Sequence, residues 1–348
     1  MATLKQLVDE TTNIKNDILT CHAKLKTKLM DKYIEVLDTD KLIDMINKIE
    51  EIRHLNIPNW YNPNFSNSWL TGKELSVGRI SFGVAVVGSK LYCIGGYDGN
   101  NHSNENECYD SNKNIWVTKA PMPVKLMGHK AVSVKNKIYV MGGDEPDVDY
   151  TTNNLCYDTI KDTWERKTNL ITGRRDFAMN AVGDKIYCIS GYIGGANTST
   201  EKTECYDTIT DTWTTKAPIT YSRHSLCSSV VNNKIYCIGG GLPAAASNQC
   251  YDTITDTWTL KKTGVARYDL TSQAIGDKIY CIGGNNGNSD LKTNMCYDTI
   301  TDTWTTKKSM PTSRASLCSG RVGNMIYCIG GHPRGESMYY GVNEVYIP

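Results

Sequence analysis

The chain has 348 residues, a formal net charge of +1 and 40% hydrophobic residues. A pI near 7.4 supplies no global attraction to nucleic acid or to an anionic membrane. No run of about 18 apolar residues is present for a spanning helix, and Met1 to Glu10 lacks the apolar stretch of a Sec-type signal, which points to a cytoplasmic protein.

In chain order, the first feature is a helical stripe. Leu4, Leu7, Thr11, Ile14, Ile18, Cys21 and Leu25 recur at three and four residues, which sets them on one helix face. A shorter stripe follows at Leu42, Met45, Ile49 and Ile52, with Thr39 or Asp40 available as its cap. The first stripe either folds back on the second as a hairpin or pairs with other chains as a coiled coil. The second reading is preferred, because the first stripe is longer than its short partner can cover. Residues 1–55 are therefore expected to be a helical stalk, with a homo-oligomer formed through residues 3–30. Residues 56–66 then form a linker stiffened by Pro58 and Pro63. The stretches Leu4 to Lys15 and Asp40 to Ile49 resemble the N-terminal region of structural proteins from phages and prophages of low-GC Gram-positive bacteria. That resemblance implies a virion-attachment or oligomerisation stub carrying a variable binding module.

From Trp69 onward one pattern fills the chain six times. Each copy holds an apolar strand ending in a diglycine-like pair: Gly95-Gly96, Gly142-Gly143, Ser190-Gly191, Gly239-Gly240, Gly283-Gly284 and Gly330-Gly331. A Tyr-Asp pair follows in five copies, from Tyr109-Asp110 to Tyr297-Asp298. Six or seven residues later stands Trp116, Trp164, Trp213, Trp258 or Trp304. The period of roughly 44 to 49 residues falls in the range of four-stranded propeller blades. The order diglycine, Tyr-Asp, Trp resembles the kelch family over about four fifths of the chain. The resemblance implies an all-β, six-bladed β-propeller at residues 67–348, preceded by the short helical segment.

The last copy stops before any tryptophan, and Trp69 stands 47 residues before Trp116. Residues 67–77 are therefore expected to supply the outer strand of the final blade and clasp the ring, which leaves no long free sheet edge. Within a blade, Lys185 to Ile189 reads as a strand buried on both faces. Asp207-Thr208-Ile209 suits a tight turn held by the aspartate, and the tryptophan fills space between blades. Cys93, Cys188, Cys237, Cys281 and Cys328 share one strand position. Cys108, Cys156, Cys205, Cys250 and Cys296 share another. Val140 and Val345 replace them in single copies, which marks the cysteines as small buried hydrophobes with free thiols, suited to a reducing compartment. Disulfides between the two positions stay open if the strands are adjacent.

With strands a to d running outward, the d-to-a connections and b-to-c loops emerge on one face. The a-to-b turns are uniform, whereas the b-to-c loops share little, from Tyr97-Asp98-Gly99-Asn100 to His332-Pro333-Arg334-Gly335. Variation on one face of a rigid scaffold is where binding is expected, so Tyr97, Tyr192 and His332 are candidate ligand contacts. Arg79, Arg174, Arg223, Arg267 and Arg314 each stand 16 residues before the diglycine pair, with Lys125 one residue out of register. In kelch domains that grip acidic peptides, arginines at this position do the gripping. The resemblance thus implies an anion-binding mouth, with guanidinium forks recognising carboxylate or phosphate. The competing role is that each arginine serves the repeat by bonding backbone. Asp144, Glu145, Asp147 and Asp149 read as a solvated acidic loop without calcium-loop spacing.

The six histidines are scattered, and no nucleotide loop or catalytic triad stands out, so no metal and no cofactor is expected. The resulting reading is a non-catalytic binding protein whose propeller face takes a protein or glycan ligand, such as a phage tail-associated adhesin. The alternative is a cytosolic kelch-type sugar enzyme resembling sialic-acid mutarotases, whose arginine-rich mouth binds the sugar carboxylate.

Overall fold

Short β-branched and aromatic strands punctuated by Asp and Gly turns close on one another in sequence order. In the computed structural model, which describes residues 66–194, 198–241, 245–333 and 339–348, they form six four-stranded sheets. Each sheet is an antiparallel blade. Blade 3 runs Ala178–Val182, Lys185–Ile189, Thr203–Asp207 and Thr212–Lys216 from the axis outward. The inner strands of blades 1, 2, 4, 5 and 6 are Gly83–Val87, Lys130–Val134, Cys227–Val231, Thr271–Ile275 and Cys318–Val322. Blade 6 takes its outer strand, Ser68–Gly72, from the other end of this region: Trp69 pairs with Tyr346 and Leu70 with Val345. The residues of the expected helical stalk, of the expected linker up to residue 65 and of the expected oligomerising stripe at 3–30 lie outside the described residues.

Six apolar clusters hold the ring, one at each blade-to-blade interface. The second strand of each blade is buried on both faces, so Lys185–Ile189 is exposed only at Lys185. Its tyrosine crosses the interface, as Tyr187 does to meet Tyr251 of the next blade at 5.8 Å. Tyr251 in turn leans on its own blade's Trp258 at 5.1 Å.

A polar clasp repeats around the outside. In blade 3, the Trp213 indole N–H donates to the carbonyl of Thr168, at the end of blade 2. Asp211 Oδ1 accepts the N–H of the same Thr168 and the Tyr206 hydroxyl. The next blade thus grips both backbone polar groups of one residue. Five other interfaces do the same, with indole bonds of 2.9–3.0 Å. The gripping carboxylate or amide always sits at a left-handed residue, from Asn67 at φ 48° to Asp162 at φ 57°, a conformation Asn and Asp tolerate better than most residues. Ring closure uses this same device: Asn67 and Trp69 hold Lys308, the residue that follows blade 5.

The described cysteines are free thiols. Tyr92 faces Cys108 while Cys93 faces Glu107, so the two cysteine positions of a blade point to opposite sides of its sheet. The strands are adjacent, but this register keeps the sulfurs apart. Among the described residues, no helix is long and apolar enough to cross a membrane.

Candidate ligand-binding face

The five repeat arginines lie inside the wall. Arg79, Arg174, Arg223 and Arg314 are wholly buried and Arg267 nearly so. In blade 3, Arg174 donates to the carbonyls of Ser190 and Lys202 and pairs with buried Glu204 at 2.9 Å. Arg79 pairs likewise with Glu107, and Arg314 with Glu344. The second oxygen of each glutamate accepts a hydroxyl, from Ser76, Thr172 or Thr312. Arg223 and Arg267 bond carbonyls only, Arg223 those of Cys237 and Ser247, Arg267 those of Gly283 and Thr293. The expected anion-binding arginine mouth is therefore corrected: four of these guanidinium groups staple the second and third strands of their own blades, Arg79 bonds Ser103, Glu105 and Glu107 on the third, and their burial withholds them from a ligand. The sugar-enzyme alternative loses with them the groups that would hold a sugar carboxylate. Lys125 is exposed, and the register position belongs to buried Leu126.

The face is made by the residues next to the arginines. Ile80, Met127, Arg175, Tyr268 and Ala315 each form a short antiparallel bridge with the first residue of a b-to-c loop: Tyr97, Asp144, Tyr192, Asn285 and His332. In blade 4, Gly241 N–H donates to the His224 carbonyl in the same manner. These bridges fix the sequence-predicted Tyr97, Tyr192 and His332 at the rim, all half-buried.

Two aromatic groups result. Tyr97 packs edge-on against His102 at 5.8 Å and Tyr339 at 6.0 Å, and Tyr339 reaches His332 of blade 6. Gly99 permits this approach, since a Cβ there would lie 2.6 Å from the Tyr339 ring. The second group spans blades 2 to 4: Tyr150 and Tyr192 stand 5.5 Å apart, and Tyr192 meets His224 at 5.2 Å. Arg175 lies over Tyr192 at 5.0 Å and over Tyr150 at 5.5 Å. Its guanidinium also pairs with Asp144, whose other oxygen accepts the Tyr150 N–H. The acidic loop is thus not wholly solvated: Asp144 is 2% exposed and organises the platform, whereas Asp147 and Asp149 face solvent.

At the centre, the residues two past the arginine positions close a collar. Gly128 N–H donates to Ser81, Asp176 to Gly128, Ser225 to Asp176, Asp269 to Ser225, Ser316 to Asp269 and Ser81 to Ser316, at 2.7–3.4 Å. This backbone ring of six bonds surrounds the axis. Below it the inner strands enclose a cavity of about 380 Å³. Burial raises the Asp176 carboxyl above its usual range. Burial and the charge of Asp176 push Asp269 up to about 6. Among the described residues, no group of three or more His, Cys, Asp or Glu is placed to hold a metal ion.

Sequence reasoning missed Arg175, His224, Asp176 and Asp269. Their signal is positional: each follows a repeat arginine by one or two residues and, unlike it, changes from blade to blade.

The KLHDC2/KLHL20/DRC7 Kelch-repeats domain matches residues 81–264 and 178–347. The chain belongs to the kelch-repeat family. Within it, the chain is 39% identical over 100 residues to Kelch repeat and BTB domain-containing protein 8 of Homo sapiens, covering 26% of this chain and 17% of that protein. It is 38% identical over 84 residues to Kelch-like protein 6 of Homo sapiens, covering 24% and 14%. Kelch-like protein 4 of Homo sapiens is 40% identical over 75 residues, covering 22% and 10%. The chain therefore spans less than a fifth of the length of these curated relatives.

Proposed function

We propose that this kelch propeller is a non-catalytic module that binds a protein ligand on the face formed by its b-to-c loops and d-to-a connections. One observation carries the reading: beneath the face every blade repeats the same four-stranded sheet and tryptophan clasp, while the rim positions hold Ile80, Met127, Arg175, His224, Tyr268 and Ala315. A rim that differs at every blade on a scaffold that does not is an arrangement suited to recognition. The two aromatic groups supply anchors that lose little entropy on binding. Buried free thiols suit a reducing compartment, in keeping with a cytoplasmic location.

The test is to pan a random-peptide display library on the full chain and map the binders with two sets of variants. Binding is expected to fall on Arg175→Ala and Tyr192→Ala, and to survive Ile209→Ser and Ile254→Ser, which alter exposed turns at the opposite end of the blades. Binders insensitive to the first pair overturn the choice of face. Turnover of a sialic acid in an anomerisation assay overturns the non-catalytic reading, and selective capture on a glycan array overturns the choice of a protein ligand.

A further inference from the structure

Three exposed apolar side chains border the platform of Tyr150, Tyr192 and Arg175. Val148 stands two residues before Tyr150 on the same loop, in the turn that its bridge with Glu145 closes. Ile171 lies on the connection that follows blade 2, and that connection packs on the same loop: Leu170 N–H donates to the Thr152 carbonyl, and a Cβ at Gly173 would fall 1.9 Å from the Tyr150 carbonyl oxygen. Tyr221 lies on the connection after blade 3, where Ile219 N–H donates to the Glu201 carbonyl on the return of the loop that begins with Tyr192. All three are 46–55% exposed, which leaves about half of each for a partner to cover.

The platform beside them has no charge to spare. Arg175 meets Asp144 at one nitrogen and Asp176 at another, the latter at 3.7 Å, while its planar group covers Tyr150 and Tyr192. Asp144 is buried, and its second oxygen accepts the Tyr150 N–H. Burial lowers the pKa of His224, which keeps the ring beside Tyr192 neutral at pH 7. A charged group of a ligand placed here would give up water and find the opposite charges already engaged. Asp147, Asp149 and Glu201 are exposed, where solvent and salt screen them. The platform is also preorganised, because one guanidinium, itself fixed by an ion pair, holds tyrosines of two blades 5.5 Å apart. Among the described residues, no guanidinium covers the rings of the other aromatic group, at Tyr97.

We propose that the sector from Val148 to Tyr221 is the anchoring part of the face, and that it takes an uncharged apolar stretch of a partner protein seated by aromatic or large aliphatic side chains. This deepens, and rests on, the reading of the face as protein-binding. Burial of such side chains against Tyr150, Ile171 and Tyr221 supplies the affinity. The matched ion pair within the platform supplies the specificity, because it offers nothing to a charge at the centre. The sector thus selects apolar residues where the arginine spacing implied acidic ones.

The experiment uses peptides selected on the full chain. Enriched sequences are expected to share aromatic or aliphatic residues and no charge, and their affinity to change by less than about threefold between about 50 and 500 mM salt. Ile171→Ser and Tyr221→Ser should each weaken binding at least about fivefold. Val77→Ser and Val265→Ser alter comparably exposed residues on the connections after blades 6 and 4, and should leave binding unchanged. All four sites are exposed, so the variants are expected to melt with the parent. A charge that the binders share and require overturns the apolar reading. No loss from the first pair, or equal losses from all four, overturns the choice of sector. Those outcomes leave the face reading intact if the peptides still depend on Arg175 and Tyr192, and remove it with the rest if they do not. Failure to enrich any peptide removes both. Self-association of the parent that Tyr221→Ser abolishes overturns the proposal in favour of a second copy of the chain.

Discussion

Arg174 and Glu204 are 0% and 1% exposed, so neither charge can turn to water if the other is removed. Blade 2 contains the control, for there the same two positions are Leu126 and Leu155, both fully buried. Arg174→Leu alone is expected to cost about 3–5 kcal/mol in urea unfolding, because it strands a buried carboxylate. Adding Glu204→Leu should return most of that loss, and a double variant as unstable as the single one would refute the pairing. The arginines were legible from spacing, yet spacing cannot tell inside from outside. For three of them the glutamate 28 to 30 residues onward, Glu107, Glu204 or Glu344, was the available signal; Gln249 and Met295 stand there in blades 4 and 5. His129 tells a similar story, occupying the position of Phe82 and Phe177 in other blades. Burial, with the positive charges of Lys130 and Arg79 adding to it, drives its pKa down to about 3, against a weaker opposing bond to the Ile94 carbonyl. A base lowered in the folded state binds protons in the unfolded chain first. Stability should therefore fall as pH drops from 6.5 towards 3, by about 1.4 kcal/mol per pH unit from this residue. His129→Phe should flatten that part of the profile, measured as midpoint against pH, and an unchanged slope would assign it to other groups.

At the scale of strands and turns, most of the molecule was readable because its devices are local and periodic. The strand Lys185–Ile189 needs only its apolar pattern, and the turn after Asp207 needs only the carboxylate that accepts the Ile209 N–H at 2.9 Å. What could not be read was register. The two cysteine positions sit on neighbouring strands, and only the pairing of Tyr92 with Cys108 reveals that Cys93 points the other way. One residue of slip would have faced the sulfurs towards each other. The clasp lay beyond reach for a similar reason: Asp211 looks like a turn residue, and its grip on Thr168 across the interface follows from the packing angle of two blades. The rim platform depends on loops as well, since Arg175 and Tyr150 meet only because Asp144 folds the blade 2 loop onto blade 3.

As a whole, the propeller is a repeat array whose ends are joined, and closure changes how it should unfold. An open array is held only by nearest-neighbour interfaces, so its blades can melt in sequence. Here the sixth clasp and the collar make every blade a neighbour of two others, leaving no terminal repeat from which to fray. Fluorescence and circular dichroism should then report one coincident transition in denaturant, since each blade carries a tryptophan against its own tyrosine. Trp69→Ala and Trp164→Ala remove the same ring, the same indole bond and the same stack, one at the closure and one within the array. Each should cost about 3 kcal/mol locally. Only Trp69→Ala weakens the joint between the two ends of the chain, so only it is expected to separate the two probes and broaden the transition. If both variants keep coincident transitions of equal midpoint, cooperativity resides in the interfaces alone, and closure contributes no more than any other seam.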